Sequence, residues 1–420
     1  MGTGVLQLAH YPNLYYVKDN LGAEPPQYTF FKSMGTIAWT IKPIMAYCED
    51  MLAPFGYRVK SWVTIGSFMV ISTSLTVYFT TPGLTQFTAQ YALMNFFAVV
   101  MDIIAQSLAV TTLALHRKIG ETRARIEGKS DEEIKADGEA EVLEGKKLYG
   151  NYVIYRFFSR AASIFIGGVI GSSLSIQIIF LMIGLVQLPI LIYTLCIFSE
   201  ERKGYVLSPD FHLVNNMLSF SKSIFCKQIA LPLILGLVIL LSPDVKDAGT
   251  YILTDILHWS SIKLSFAGII GSVLYYIIMH YTVNKAKSLG LMLQLFIAAS
   301  ASTFNSLMMF RFIFLEAMNF PLMFFLTVMA AFSNYLTSDM VLIPIVARYS
   351  SACPKGIEGF GVTSIAAIVN TADTLSGLWG AKLLSLNHVV KASYDDLYIP
   401  VTISCSHALF GMFLTPIIGK

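Results

Sequence analysis

The chain has 420 residues, of which 55% are hydrophobic and only 13% charged, and its mean hydropathy is +0.64. A soluble domain carries about 25% charged residues, so this composition excludes an ordinary soluble fold and implies a protein that crosses a membrane many times. The formal net charge of +3 is small and its basic residues are dispersed over loops, which excludes a nucleic-acid face.

A bilayer core needs about 20 apolar residues per helix. In chain order the candidate spans are 2–17, 27–48, 62–80, 87–115, 148–172, 175–199, 225–257, 263–283, 289–310, 321–347, 360–386 and 396–419. The first residues lack a basic region and a cleavage site, so they read as a membrane helix and not as a signal peptide. The stretch 116–147 mixes many acidic and basic residues and reads as a solvated, partly disordered loop. The seventh span is long and is interrupted by "SPDVKDAG", which predicts a break between Pro243 and Gly249. The expected fold class is therefore an all-α membrane protein with twelve transmembrane helices. It divides into a six-helix bundle over 1–199, a linker over 200–224 and a second six-helix bundle over 225–420. That layout suits a transporter with a central site between two halves.

Loop charges predict the orientation. The even-numbered loops hold eighteen basic residues, among them Arg58, Lys60, Arg117, Arg202 and Lys285. The odd-numbered loops hold Lys18, Lys263, Arg311 and Lys391. The positive-inside rule then puts both termini in the cytosol, with the plasma membrane preferred over an organelle membrane. The five cysteines are isolated, without metal-ligand or redox spacing, and read as small packing residues.

The stretch "IAWTIKPIMAYCEDMLAPFGYRVK" (37–60) begins as a membrane helix and ends as a charged loop. Lys42 lies about six residues, or ~9 Å, from the expected cytoplasmic end of its helix, within snorkelling reach of the interface. Asp50, Gly56, Arg58 and Lys60 resemble the loop between helices 2 and 3 of major facilitator transporters. Lys42, Glu49, Asp50, Arg58 and Lys60 are accordingly expected to form an inner gate.

Four stretches carry a more specific resemblance: "YYVKDNLG", "PPQYTFFKSMGTIAWTIKPIMAYCED", "SPDVKDAGTYILTDILHWS" and "CPKGIEGFGVTSIAAIVNTADTLSG". In register over most of the chain, they resemble the folate-biopterin transporter family of the major facilitator superfamily. The resemblance implies alternating-access transport of folate or pterins, with that small molecule, a coupling proton and the lipid bilayer as partners. The family often has two acids in helix 4, where "FFAVVMDIIAQS" keeps only Asp102.

A charge at bilayer depth costs roughly 2.5–3.5 kcal/mol on insertion scales, so each one needs a partner or a task. Asp102, Arg156, Arg160, Asp247, Asp339 and Asp373 are the candidate substrate-binding residues. Arginine holds carboxylates bidentately, and one of the two arginines is expected to hold a substrate carboxylate while the other pairs with Asp102. A buried structural salt bridge between Asp102 and Arg160 is the alternative. Lys382 reads as an interface anchor. His280 and His407 read as packing or hydrogen-bonded residues. The tyrosines of "YYIIMHY" (275–281) could stack on a planar ring or simply pack. The glycines of "IFIGGVIGSSLS" predict close helix approach. No nucleophile–base pair, metal cluster or phosphate loop is present in the sequence, so no enzyme and no cofactor is expected. The remaining alternatives are a transporter of another anionic or zwitterionic metabolite, and a non-transporting sensor on a transporter fold.

Overall fold

The structure is a computed structural model that describes residues 2–127, 158–202, 218, 222, 224–225, 227–285, 291–314, 318–352, 358–391 and 393–418. The first half contains α1 (Gly2–Leu6), α2 (His10–Tyr15), α3 (Pro25–Thr36), α4 (Lys42–Met51), α5 (Arg58–Phe79), α6 (Leu84–Ile126), α7 (Phe158–Ile170) and α8 (Ile176–Cys196). The second contains α9 (Lys227–Leu240), α10 (Lys246–Asp255), α11 (Ser261–Lys285), α12 (Leu291–Met308), α13 (Phe320–Ala352), α14 (Glu358–Leu386) and α15 (Tyr398–Ile418). Among the described residues no strand forms, only an isolated bridge between Val390 and Ser393.

Seven of these helices are long and apolar enough to cross a membrane. Large apolar side chains such as Phe79, Leu185, Phe325, Phe410 and Phe413 point outward. Backbone groups satisfied inside each helix and an apolar exterior are what a bilayer requires.

Three expectations change. The first two spans are not continuous. A 3₁₀ turn at Gln7–Ala9 separates α1 from α2, and the segment 37–41 separates α3 from α4. Pro43 stands in the first turn of α4, where its missing N–H costs nothing but where it cannot extend α3. The expected loop from residue 116 is helical as far as Ile126, because "LALHRKIGETRARI" is rich in helix formers. Residues 128–157 and most of the linker lie outside the described residues.

The predicted interruption of the seventh span is present at residues 241–245, between α9 and α10. Its backbone groups find partners inside the protein. The Asp244 N–H donates to the Ser376 carbonyl at 3.1 Å, and the Ser404 hydroxyl donates to the Pro243 carbonyl at 2.8 Å. Gly380 makes this possible: a Cβ there would run into the Asp244 backbone.

Two seams join the halves. In one, α7 lies against α11, with the Ser261 hydroxyl donating to the Gly168 carbonyl at 2.6 Å and Phe165 edge-on to Phe266. A side chain at Gly167 or Gly168 would collide with the Leu8 carbonyl or the Ser265 hydroxyl. In the other, α3 lies against α14, with Thr36 and Thr374 hydroxyls 3.1 Å apart. Small residues let these backbones approach closely. One apolar cluster, including Tyr28, Phe31, Phe87, Tyr251, Trp259 and Leu397, bridges both halves, while a second, around Leu235, Leu295 and Val341, stays in the second half.

Candidate functional site

The bridging cluster lies beside the turns at 20–24, 256–260 and 387–394, here termed the outer face. Ion pairs close that face across the halves. Lys18, on the π-helical turn Tyr16–Asn20, bonds Asp255 and also lies 2.8 Å from Asp19. The Lys391 N–H donates to Glu24 Oε2 at 2.7 Å, and its ammonium bonds the Lys18 carbonyl. Tyr251 donates to the Ala23 carbonyl at 3.0 Å, and Tyr15 to the Trp259 carbonyl at 2.6 Å. Tyr394 donates to Asp255 at 3.5 Å. Burial, with the Asp255 and Glu24 carboxylates nearby, holds that phenol above its ordinary pKa and keeps it a donor.

Below this closure the charged side chains of both halves converge. Lys32 of α3 lies seven residues, about 10 Å, from the outer end of its helix. Its ammonium bonds Asp247 of α10 at 2.7 Å. Lys246 bonds Asp244 at 2.9 Å and the Asn334 side-chain carbonyl at 2.8 Å. Arg160 lies ten residues, about 15 Å, from the outer end of α7, which is the depth of a bilayer midplane. Its guanidinium sits 5.9 Å from the Tyr335 ring centre. Lys32 lies 5.9 Å from the Tyr28 ring centre, and Tyr91 stacks on the neighbouring Phe31. A polar cavity of about 60 Å³ opens beside Lys246, lined by Asp244, Asn305, Asn334, Ser338, Asp373 and Ser376 among others. That is room for a few waters. The centre thus offers three cations, several carboxylates and a set of aromatic rings at the junction of the halves.

The predicted residues fall into different places. Asp247 and Asp373 belong to this centre, Asp247 on Lys32 and Asp373 exposed in the cavity wall. Asp339 accepts a hydrogen bond from Tyr275, which lies within electrostatic range of Arg160. Arg156 lies outside the described residues. Asp102 receives Lys42 at 3.0 Å, both side chains being 3% exposed, and Lys42 also lies 5.3 Å from the Trp39 ring centre. This corrects the reading of Lys42 as a snorkelling anchor. The carboxylate one helix away is a nearer partner than the interface, so the lysine folds inward. It also replaces the alternative of an Asp102–Arg160 salt bridge, since the Arg160 guanidinium lies over Tyr335.

The inner cluster is held together by the first half and by Glu200, which follows it. Arg58 grips Glu49 with two N–H donors, at 2.8 and 3.1 Å. The Glu200 carboxylate accepts from the backbone N–H groups of Arg58, Val59 and Lys60 at 2.8–3.2 Å. An anion at a helix N-terminus satisfies orphan donors and complements the helix dipole. Lys60 reaches the Phe198 carbonyl at 3.2 Å. The side chain of Asp50 lies outside the described residues. His407 bonds the Val238 carbonyl at 2.8 Å and packs on Trp379, as a structural histidine does. Tyr275 and Tyr276 of the aromatic run contact Tyr335 and Phe158.

Sequence reasoning missed Lys32, Lys246 and Glu200. The signal available for Lys32 was its position within the apolar run "YTFFKSMG", and for Lys246 its place in the break. Nothing local marked Glu200 as a helix cap.

The BT1 family model matches residues 3–122. A folate-biopterin transporter of Synechocystis is 30% identical over 66 residues, which cover 16% of this chain and 13% of that protein. Folate transporter 1 of Plasmodium falciparum is 20% identical over 418 residues, covering 98% of this chain and 76% of its own. Among solved structures, the nucleoside transporter NupG superposes with a TM-score of 0.67 at 11% identity, covering 99% of this chain and 96% of that one. Over residues 3–122 the chain is thus similar to the BT1 family, over its length it is distantly similar to folate transporters, and its helical fold, with seven helices long and apolar enough to cross a membrane, is like that of NupG.

Proposed function

We propose that the protein carries folate or pterins across the membrane by alternating access between two six-helix halves, in symport with protons. The observation that supports this reading most is the set of cations at the junction of the halves: Lys32 on Asp247, Lys246 on Asp244, and Arg160 over the Tyr335 ring. A folate carries carboxylates and a planar heterocycle. Cations below a closed outer face suit the first, and the rings of Tyr91 and Tyr335 suit the second. The folate transporters among the relatives make that substrate class the first to test. Asp373, exposed in the cavity wall, and the carboxylates paired with Lys32 and Lys246 are the groups proposed to carry the coupling proton. In this reading twelve helices span the bilayer, both termini are cytoplasmic, and the face closed by Lys18 and Asp255 is the extracytoplasmic one.

The test is uptake of labelled folate, biopterin and unrelated anions into proteoliposomes, with and without an inward proton gradient. Saturable folate or biopterin uptake stimulated by the gradient is expected. Uptake of neither compound overturns the substrate assignment, and uptake indifferent to the gradient overturns the coupling. Arg160→Ala is expected to weaken folate binding by roughly tenfold or more, the value of one charge-assisted bond, with biopterin binding little changed.

A further inference from the structure

Helix α10 presents three residues at intervals of four: Asp247, Tyr251 and Asp255. Such positions share one helix face. All three bond to the first half. Asp247 holds Lys32 at 2.7 Å, Tyr251 donates to the Ala23 carbonyl at 3.0 Å, and Asp255 holds Lys18. The helix is only ten residues long and is parted from α9 by the broken turn at 241–245. It is a short arm hinged at its inner end and fastened along one face to the opposite half.

The innermost fastening differs from the other two. Lys32 is one-third exposed, whereas the Asp247 side chain is 6% exposed. The second carboxylate oxygen of Asp247, Oδ2, is buried without a hydrogen-bond partner among the described residues. A buried polar atom left unsatisfied is unusual and weakens the hold of the group that carries it. Lys32 also feels the carboxylates of Asp244 and Asp373. A cation accessible to the centre is therefore occupied by an internal carboxylate that is itself poorly satisfied.

We propose that Lys32 is an exchange site: a substrate carboxylate displaces Asp247 from it, and loss of that bond releases α10 so that the outer face opens. Asp247 then acts as the internal stand-in for the substrate anion. This inference rests on the reading that the substrate carries a carboxylate, and it adds the residue that receives it and the motion it triggers. Because binding and opening are linked, each must favour the other by the same factor. Weakening the latch anywhere should strengthen binding of a carboxylate substrate, and most of all at Asp247, where the competitor itself is removed.

The test uses purified full-length protein in detergent, with the five native cysteines replaced by serine and Thr254, buried on α10, changed to cysteine. Equilibrium binding of folate and of biopterin is measured for the parent, Asp247→Asn, Asp255→Asn and Lys32→Gln, each judged folded by thermal shift. Maleimide labelling of Thr254→Cys reports release of α10. Asp247→Asn is expected to bind folate about tenfold more tightly and biopterin within about twofold. Lys32→Gln is expected to lose at least about tenfold for folate only. Folate should speed labelling several-fold in the parent, and Asp255→Asn should label quickly without ligand while binding folate modestly tighter. Unchanged or weaker folate binding by folded Asp247→Asn overturns the exchange, as does labelling indifferent to folate. Failure of the parent protein to bind folate at all overturns the substrate reading, and the exchange with it, and the parent control separates that result from the others.

Discussion

Lys42 and Asp102 show what a buried charge does when its partner is close. Both side chains are almost fully removed from solvent, 3.0 Å apart, with Trp39 beside the ammonium. Desolvating two charges offsets much of their attraction, so the pair adds little net stability, but removing one partner strands the other. Lys42→Met is therefore expected to destabilise the protein by about 3–5 kcal/mol. Lys42→Met combined with Asp102→Leu is expected to recover most of that loss. Thermal-shift measurements in one detergent check the pair, and a double variant no better than the single would refute this account. A protein with normal stability but no transport in the double variant would instead assign the pair a role in the transport cycle.

At the scale of the element, the same chemistry fixes how helices end and how they meet. Glu200 supplies a carboxylate to three N–H groups at the start of α5, tying that end to the segment after α8. Glu200→Gln keeps the shape and one acceptor but removes the charge. It is expected to cost about 1 kcal/mol, the usual value of a cap together with its dipole interaction, seen as a lowered melting temperature. An unchanged melting temperature would mean that water satisfies these donors equally well. The seam between α7 and α11 is more demanding. Gly168 has the Ser265 side chain where a Cβ would stand, so Gly168→Leu forces the halves apart. Overpacking typically costs 1–3 kcal/mol, and here it falls on the contact between the halves that the proposed transport cycle moves. Transport is expected to fall more than stability does, and uptake equal to that of the unaltered protein would show that this seam opens by another route.

At the scale of the whole molecule, the closed outer face and the charge bias of the loops make a joint claim. If the even-numbered loops are cytosolic, Ser130→Cys is labelled only from the inside, and Ser393→Cys, beside the Lys18–Asp255 closure, only from the outside. Impermeant reagents on intact cells and on inverted vesicles read this directly. Labelling of position 130 from outside intact cells would reverse the proposed topology. Loosening the closure by Asp255→Asn is expected to raise labelling at position 393 further.

The sequence by itself determined what depends on neighbours along the chain. Apolar runs announced the seven membrane-length helices, Pro243 announced the break, and the small residues from Gly167 to Gly171 announced a close helix contact, because each acts through its own backbone or through side chains within a turn or two. The tertiary structure decided what depends on distant partners. Lys32 meets Asp247 across 215 positions, Lys18 meets Asp255 across 237, and Glu200 caps a helix about 140 positions earlier. No local pattern records such pairs, since any acid at the right depth on a facing helix would serve. The direction in which Lys42 points was undecided for the same reason. A long flexible side chain reaches either the interface or a buried carboxylate, and only the packing of α4 against α6 brings Asp102 within its reach.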